Sequence, residues 1–166
     1  LYQAIKAYAA TNPKLQGEQK RLLEFTLRDY RRAGMDLPLD ARNRLKAIEM
    51  ELSKLGIQFE QNINEDATKV PFLLSELKGV PKDTIDRQIQ ANGVVLFGLD
   101  GPSYGPLMDY CENDNSRQKA WTLYRRRGGE KNVEILQQLL KLRAESSQLL
   151  GYKNTVDFEV ETRMAK

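Results

Sequence analysis

Leu45, Ile48, Leu52, Leu55, Phe59 and Ile63 recur at spacings of three and four residues. That rhythm puts six large apolar side chains on one stripe of a helix, and such a stripe must be covered. It predicts a helix opened by Leu37-Pro38 and reaching to about Asp66. A second helix is expected before it, from about Glu18 to Ala33, with Leu22, Phe25 and Tyr30 and their neighbours Leu23 and Leu27 as its apolar side. Gly34 is well placed to end that helix in the left-handed conformation. Only Gly34 to Leu37 separate the two, so they should lie antiparallel as a hairpin. The simplest cover for the stripe is then Leu22 to Tyr30, rather than a foreign helix laid into a groove.

The remaining chain is mostly helical in pattern. Leu1 to Ala10 forms a short helix ended by Thr11-Asn12-Pro13. Val70-Pro71-Phe72 and Val94-Val-Leu-Phe97 read as two short strands, the first an edge strand, paired with one another. Ser75 to Lys78 and Asp83 to Arg87 are single helical turns, and Asp100 to Pro106 reads as a turn-rich loop. Leu107 to Cys111 is a short helix. The next, capped by Asn115 or Ser116, carries Trp121, Leu123 and Tyr124 and ends at Arg127-Gly128-Gly129. Asn132 to Leu150 is amphipathic, with Ile135, Leu139, Leu142 and Leu149 on one face and Gly151 after it. Asn154 caps a last helix expected to run on through Lys166 without a terminator. The fold class is therefore all-α, with antiparallel long helices and a minor pair of short β-strands.

Composition narrows the function. The chain has 166 residues, long enough for one helical domain, which buries roughly 70% of its unfolded surface. Lys and Arg total 26 against 23 Asp and Glu, for a net charge of +3. The two signs are interleaved, as on solvated helix faces, and a nucleic-acid partner is not expected. No apolar run approaches the ~18 residues of a membrane span, so no membrane partner is expected either. The single cysteine excludes an internal disulfide and suits a reducing compartment. The expected location is cytoplasmic. Because the chain opens at Leu1 without methionine, an organellar location with a lost targeting segment is the alternative.

There is no histidine. The chain by itself therefore has no imidazole to act as general base or zinc ligand. Other candidates read more simply as structure. Arg125-Arg126-Arg127 is a basic last turn that complements a helix dipole, with a phosphate or acidic-peptide contact as the alternative. Trp121, Leu123 and Tyr124 read as core rather than a ligand groove. Cys111 reads as a buried thiol. The pairs Glu49/Glu51 and Glu159/Glu161, two apart on helices, read as solvated charge. Gly98, Gly101 and Gly105 read as turn geometry, lacking the spacing of a phosphate-binding loop. No catalytic, cofactor-binding or metal residue is assigned.

Several stretches together resemble the N-terminal helical region of the thimet oligopeptidase and oligopeptidase A family of zinc metallopeptidases. They are Leu27-Arg-Asp-Tyr-Arg-Arg-Ala-Gly-Met-Asp-Leu-Pro38, Arg44-Leu-Lys-Ala-Ile-Glu-Met-Glu-Leu-Ser-Lys-Leu55, Phe59-Glu-Gln-Asn-Ile-Asn-Glu-Asp66, Pro71-Phe and Glu76-Leu-Lys-Gly-Val-Pro81. Ile135-Leu-Gln-Gln-Leu-Leu-Lys-Leu-Arg143, Leu149-Leu-Gly-Tyr152 and Met164-Ala-Lys166 continue the match in order. The resemblance implies a longer, mainly helical peptidase with a channel between two halves, acting on short peptides. It also implies zinc in the parent protein, held by an H-E-x-x-H helix whose Glu activates water and by a further Glu. None of those positions has a counterpart here. Relatives often carry an aromatic and histidine-containing stretch after the second strand, where this chain has the smaller Pro102-Ser-Tyr-Gly-Pro106.

The expected function is a noncatalytic channel-wall segment of such a peptidase, inert in isolation, whose partner is the missing catalytic domain. Self-association of the segment is expected from apolar faces left uncovered. The alternative is a stand-alone helical interaction module descended from such a peptidase.

Overall fold

The structure, a computed structural model, describes residues 1–164. Eight α-helices and one antiparallel strand pair follow in the order α1 (Tyr2–Ala10), α2 (Gly17–Arg32), α3 (Leu39–Asn64), β1 (Lys69–Leu73), α4 (Lys82–Asp86), β2 (Val94–Gly98), α5 (Gly101–Tyr110), α6 (Asp114–Arg125), α7 (Gly129–Leu149) and α8 (Thr155–Val160). A 3-10 turn, Leu74–Leu77, follows β1 directly. The fold is mainly α with a minor strand pair, as the periodicities predict. Contacts gather the chain into two compact units, one formed by Leu1–Gly56 with the chain from Leu136 onward, the other by Ile57–Ile135.

In the first unit, Leu45, Ile48 and Leu55 of α3 are buried, so the stripe is an inward face as its spacing requires. The expected cover from α2 is only partly realised. No residue of α2 is fully buried, and Leu22, at 69% exposure, and Phe25 turn outward. Leu23, Leu27 and Tyr30, at helical spacings of four and three, are the half-buried ones. Leu22 sits a little over a quarter-turn off that line and Phe25 nearly half a turn. Phe25 is instead sandwiched by guanidiniums, with Arg21 at 4.9 Å and Arg28 at 4.3 Å from its ring centre.

Polar ties fix the helix ends of this unit. Tyr2 of α1 packs on Tyr30, with ring centres 5.0 Å apart. Its hydroxyl donates to Asp36 at 2.7 Å, and Lys6 meets the other oxygen of that carboxylate at 2.7 Å. Gly34 holds φ +76°, and a Cβ there would run into the Leu45 side chain. Arg44 of α3 grips Glu145 of α7 through two bonds of 2.6 and 2.7 Å, so the start of α3 lies beside the end of α7. Asn154 caps α8 as expected, accepting from the Asp157 N–H at 2.9 Å. That helix ends at Val160 and residues 161–164 form turns and bends, which corrects the expected unbroken run; the part of that expectation falling on Ala165 and Lys166 lies outside the described residues.

The second unit is built on the strand pair. Register sets Val70 opposite Phe97 and Phe72 opposite Val95, and these four side chains are buried on one face. Pro71 is tolerated because β1 is an edge strand, paired with β2 alone among the strands. Leu77, Val80, Leu99, Leu107, Cys111 and Ala120 complete the core.

The segment Asp100 to Pro106 corrects the sequence reading: it is the opening of α5, continuous with Leu107 to Tyr110. The Asp100 carboxylate caps it by accepting from the Ser103 N–H at 3.0 Å, and Pro102 sits in the first turn, where a missing N–H costs nothing. The cap of α6 is likewise Asn113, whose side chain accepts from the N–H groups of Asn115 and Ser116. Those two polar residues are thus the recipients of the cap.

Gly56 lies inside α3 without positive φ, and apart from its chain neighbours and its own helix backbone no atom stands within 4 Å of where a Cβ would be. Gly56→Ala should therefore raise stability by about 0.5–1 kcal/mol through helix propensity. Gly34→Ala should lower it by at least about 1 kcal/mol, since Ala is strained at positive φ and collides with Leu45. Urea midpoints of the two variants, measured against the parent chain, check both signs.

Candidate functional site

The densest group of chemistry-bearing side chains lies on α5 and α6 in the second unit. Tyr104 and Tyr124 stack at 3.9 Å with an 11° angle between rings. Burial raises the Tyr104 phenol above its ordinary pKa, against the opposing charges of Arg125 and Arg127. The Arg127 guanidinium covers the other aromatic from 3.8 Å and donates to the carbonyl oxygens of Leu99 at 3.1 Å and Tyr124 at 3.2 Å. The three adjacent arginines are therefore not equivalent. Arg127 is a structural clasp, while Arg125 and Arg126 remain exposed at the end of α6.

Trp121 corrects the expectation of a core aromatic. It is 48% exposed, whereas Leu123 and Tyr124 pack partly against the core. The inward contact of α6 is made by Ala120, 1% exposed. One residue along a helix is a rotation of about 100°, so burying Ala120 turns Trp121 outward. The Arg125 guanidinium stands over the Trp121 indole at 5.9 Å.

Cys111 is buried, as expected, with its Sγ facing the carbonyl oxygen of Glu76 at 3.4 Å. The glycine trio divides. Gly98 lies in β2 and Gly101 and Gly105 in α5, none with a positive φ, so the expected turn geometry accounts for none of the three. Glu49 and Glu159 are exposed, but Glu161 departs from the solvated reading. It pairs with Arg31 and with Arg32 (2.9 Å) and accepts from the Tyr152 hydroxyl. Burial alone would raise its pKa, yet the Tyr152 and Arg32 bonds and the Arg31 and Arg32 charges bring the net shift downward. The sequence signal for this hub was the Arg31-Arg32 pair at a helix end, which needs an acidic partner from elsewhere.

A second polar junction also escaped the sequence reading. Asp66 accepts from the Thr68 N–H at 2.9 Å and the Gly128 N–H at 3.1 Å, so its carboxylate stands at the start of α7 where an anion would otherwise bind. Asn132, buried, accepts from Asn62 at 2.8 Å and donates to the Phe59 carbonyl at 3.0 Å. Gly128, at φ +80°, leaves room for that amide, which a Cβ would strike. Its neighbours Glu65, Glu130 and Lys131 line an open pocket with no converging ligand set.

The zinc implied by the resemblance does not fit the residues present. The chain has no histidine, and among the described residues no three of Cys, Asp and Glu converge as a metal cluster.

A family model described as peptidase family M3 matches residues 107–166. A thimet-like oligopeptidase of Dictyostelium discoideum is 32% identical over 155 residues, covering 92% of this chain and 23% of the relative. Oligopeptidase A of Escherichia coli strain K12 is 32% identical over 168 residues, covering 92% of this chain and 25% of the relative. A probable cytosolic oligopeptidase A of Arabidopsis thaliana is 31% identical over 185 residues, covering 99% and 26%. Relatives named cytosolic and chloroplastic/mitochondrial both occur. The chain spans about a quarter of the length of the curated relatives it matches.

Hydrogen bonds from Thr68, then from Gly128, with the Arg127 charge, hold the Asp66 pKa below its ordinary value despite partial burial. A depressed carboxylate stabilises the fold above its unfolded pKa, and that gain disappears as pH falls through the folded value. Asp66→Ala should lower stability by about 1–3 kcal/mol at neutral pH. The deficit should shrink toward zero below the ordinary carboxylate range, which denaturant titrations at stepped pH would reveal.

Proposed function

Because the chain belongs to peptidase family M3, with thimet oligopeptidase-like and oligopeptidase A relatives, we propose that it is a noncatalytic helical segment from the N-terminal half of a longer zinc-dependent peptidase that hydrolyses short peptides. The observation that carries this reading is the extent of the match: 92% of this chain but 25% of Escherichia coli oligopeptidase A. A histidine-free chain cannot contribute an H-E-x-x-H helix. On this reading the zinc, the water-activating Glu and the remaining ligand belong to a catalytic domain that is this segment's main partner.

The segment's contribution is then mechanical. Long helices such as α3, of 26 residues, and α7, of 21, are stiff walls. A channel bounded by such walls excludes folded proteins and admits flexible short peptides, so size selection arises from packing. We place α2 and α3 in that wall. The cytosolic relative favours a cytoplasmic location.

The 166-residue chain, given a quenched fluorescent peptide and added zinc, should show no turnover above background. Chelator-sensitive cleavage by this chain alone would overturn the division of labour. The parent reading frame should encode H-E-x-x-H beyond Lys166; a stop without it would favour the stand-alone interaction module.

Leu22, Val133, Leu136 and Leu140 are apolar and exposed. Uncovered surface of this kind promotes association. Sedimentation of the isolated chain should show mass rising with concentration, and a concentration-independent monomer would count against it.

A further inference from the structure

Each outer edge of the β1–β2 pair presents backbone N–H and C=O groups that an extended segment of another chain can use. Alternation along the strands decides which groups these are. On β2, the Leu96 N–H donates to the Gln88 carbonyl at 3.0 Å and the Gly98 N–H to the Gln88 side-chain oxygen at 2.8 Å. The Val94 carbonyl accepts from the Gln90 N–H at 2.8 Å. Residues 94, 96 and 98 thus face away from β1, and the chain's own return at Gln88–Gln90 closes that edge. Val95 and Phe97 are left to bond with Phe72 and Val70, which stand opposite them. The outward residues of β1 are therefore Lys69, Pro71 and Leu73.

Side chains close this second edge. Pro71 has no N–H to offer. Its carbonyl accepts from the Lys119 ammonium at 2.6 Å, and the same lysine lies over the Phe72 ring at 4.8 Å. The Leu73 N–H donates to the Glu76 carboxylate at 2.7 Å. The three central polar groups of the edge are thus missing or occupied. Leu73 and Leu74 beside them are 58% and 51% exposed, so an arriving strand would also gain apolar contact.

We infer that Pro71, Lys119 and Glu76 lock the β1 edge against pairing with an extended segment. The partner excluded is β1 of a second copy, which would meet it antiparallel about a two-fold axis. To add there, the incoming strand must break the Lys119 and Glu76 bonds and still finds no donor at position 71. Lys119 precedes the buried Ala120, so the packing of α6 on the core brings the lock to the edge.

Amide hydrogen exchange of Lys69 reads the event at the edge itself. In an antiparallel pairing centred on position 71, its N–H meets the Leu73 carbonyl of the second copy. Lys119→Met keeps the aliphatic stem over Phe72 and removes the donor, while Pro71→Val restores the missing N–H. In the chain carrying both substitutions, Lys69 exchange should slow at least about tenfold as protein concentration rises, the protection one new strand bond brings. In the native chain it should not change with concentration. Lys119→Met alone should give a smaller slowing, and it carries the test if Pro71→Val disturbs folding by circular dichroism. A folded Lys119→Met chain, with or without Pro71→Val, whose Lys69 exchange ignores concentration overturns the inference. So does a native chain in which that exchange already slows. Association through the exposed apolar helix residues leaves the Lys69 amide untouched, so sedimentation and exchange read the two routes apart.

Discussion

A two-stranded sheet has one face to bury and too little area to hold itself together. The second unit is organised by how that face is covered. Phe72 and Phe97 meet edge to face at 6.1 Å across the pair, and Leu107 of α5 and Ala120 of α6 join the same core. The small side chain at position 120 lets the backbone of α6 come close to that core. Its neighbours are assigned their roles by rotation alone: Tyr124 leans onto Tyr104, Trp121 faces outward, and Arg127 reaches back to the Leu99 carbonyl.

The first unit relies more on polar contacts at helix ends. Asp36 gathers Tyr2 and Lys6 at the loop before α3, and Glu161 gathers Arg31, Arg32 and Tyr152 after α8. Bonds from Lys6 and Tyr2 lower the Asp36 pKa, so that carboxylate remains charged through the neutral range. Isolated exposed ion pairs contribute little to stability. These hubs matter more for direction, since each carboxylate accepts from groups on separate elements and sets which ends meet.

On the proposed reading, a chain without histidine leaves the zinc chemistry to the rest of the parent protein. Cys111 faces a backbone carbonyl and Arg127 donates to two, while Arg125 stands over the exposed Trp121 indole.

Local patterns carried much of the architecture in advance. Apolar spacing announced α3 and α7, Val70-Pro71-Phe72 and the β-branched Val94-Val-Leu-Phe97 announced the strands, and Gly34, Gly151 and Asn154 marked helix ends, because each depends on neighbours within a few residues. The Asp100 cap and the Asn113 cap were also written locally, but turn-forming residues serve loops and helix starts alike. What no local pattern contained was the choice of which residue of α6 touches the strands. Trp121 and Ala120 both belong in a core by their chemistry, and only the close approach of α6 selects the smaller. Long-range carboxylate partners were hidden for the same reason: Arg31 and Glu161 are 130 residues apart, and only the folded chain makes them neighbours.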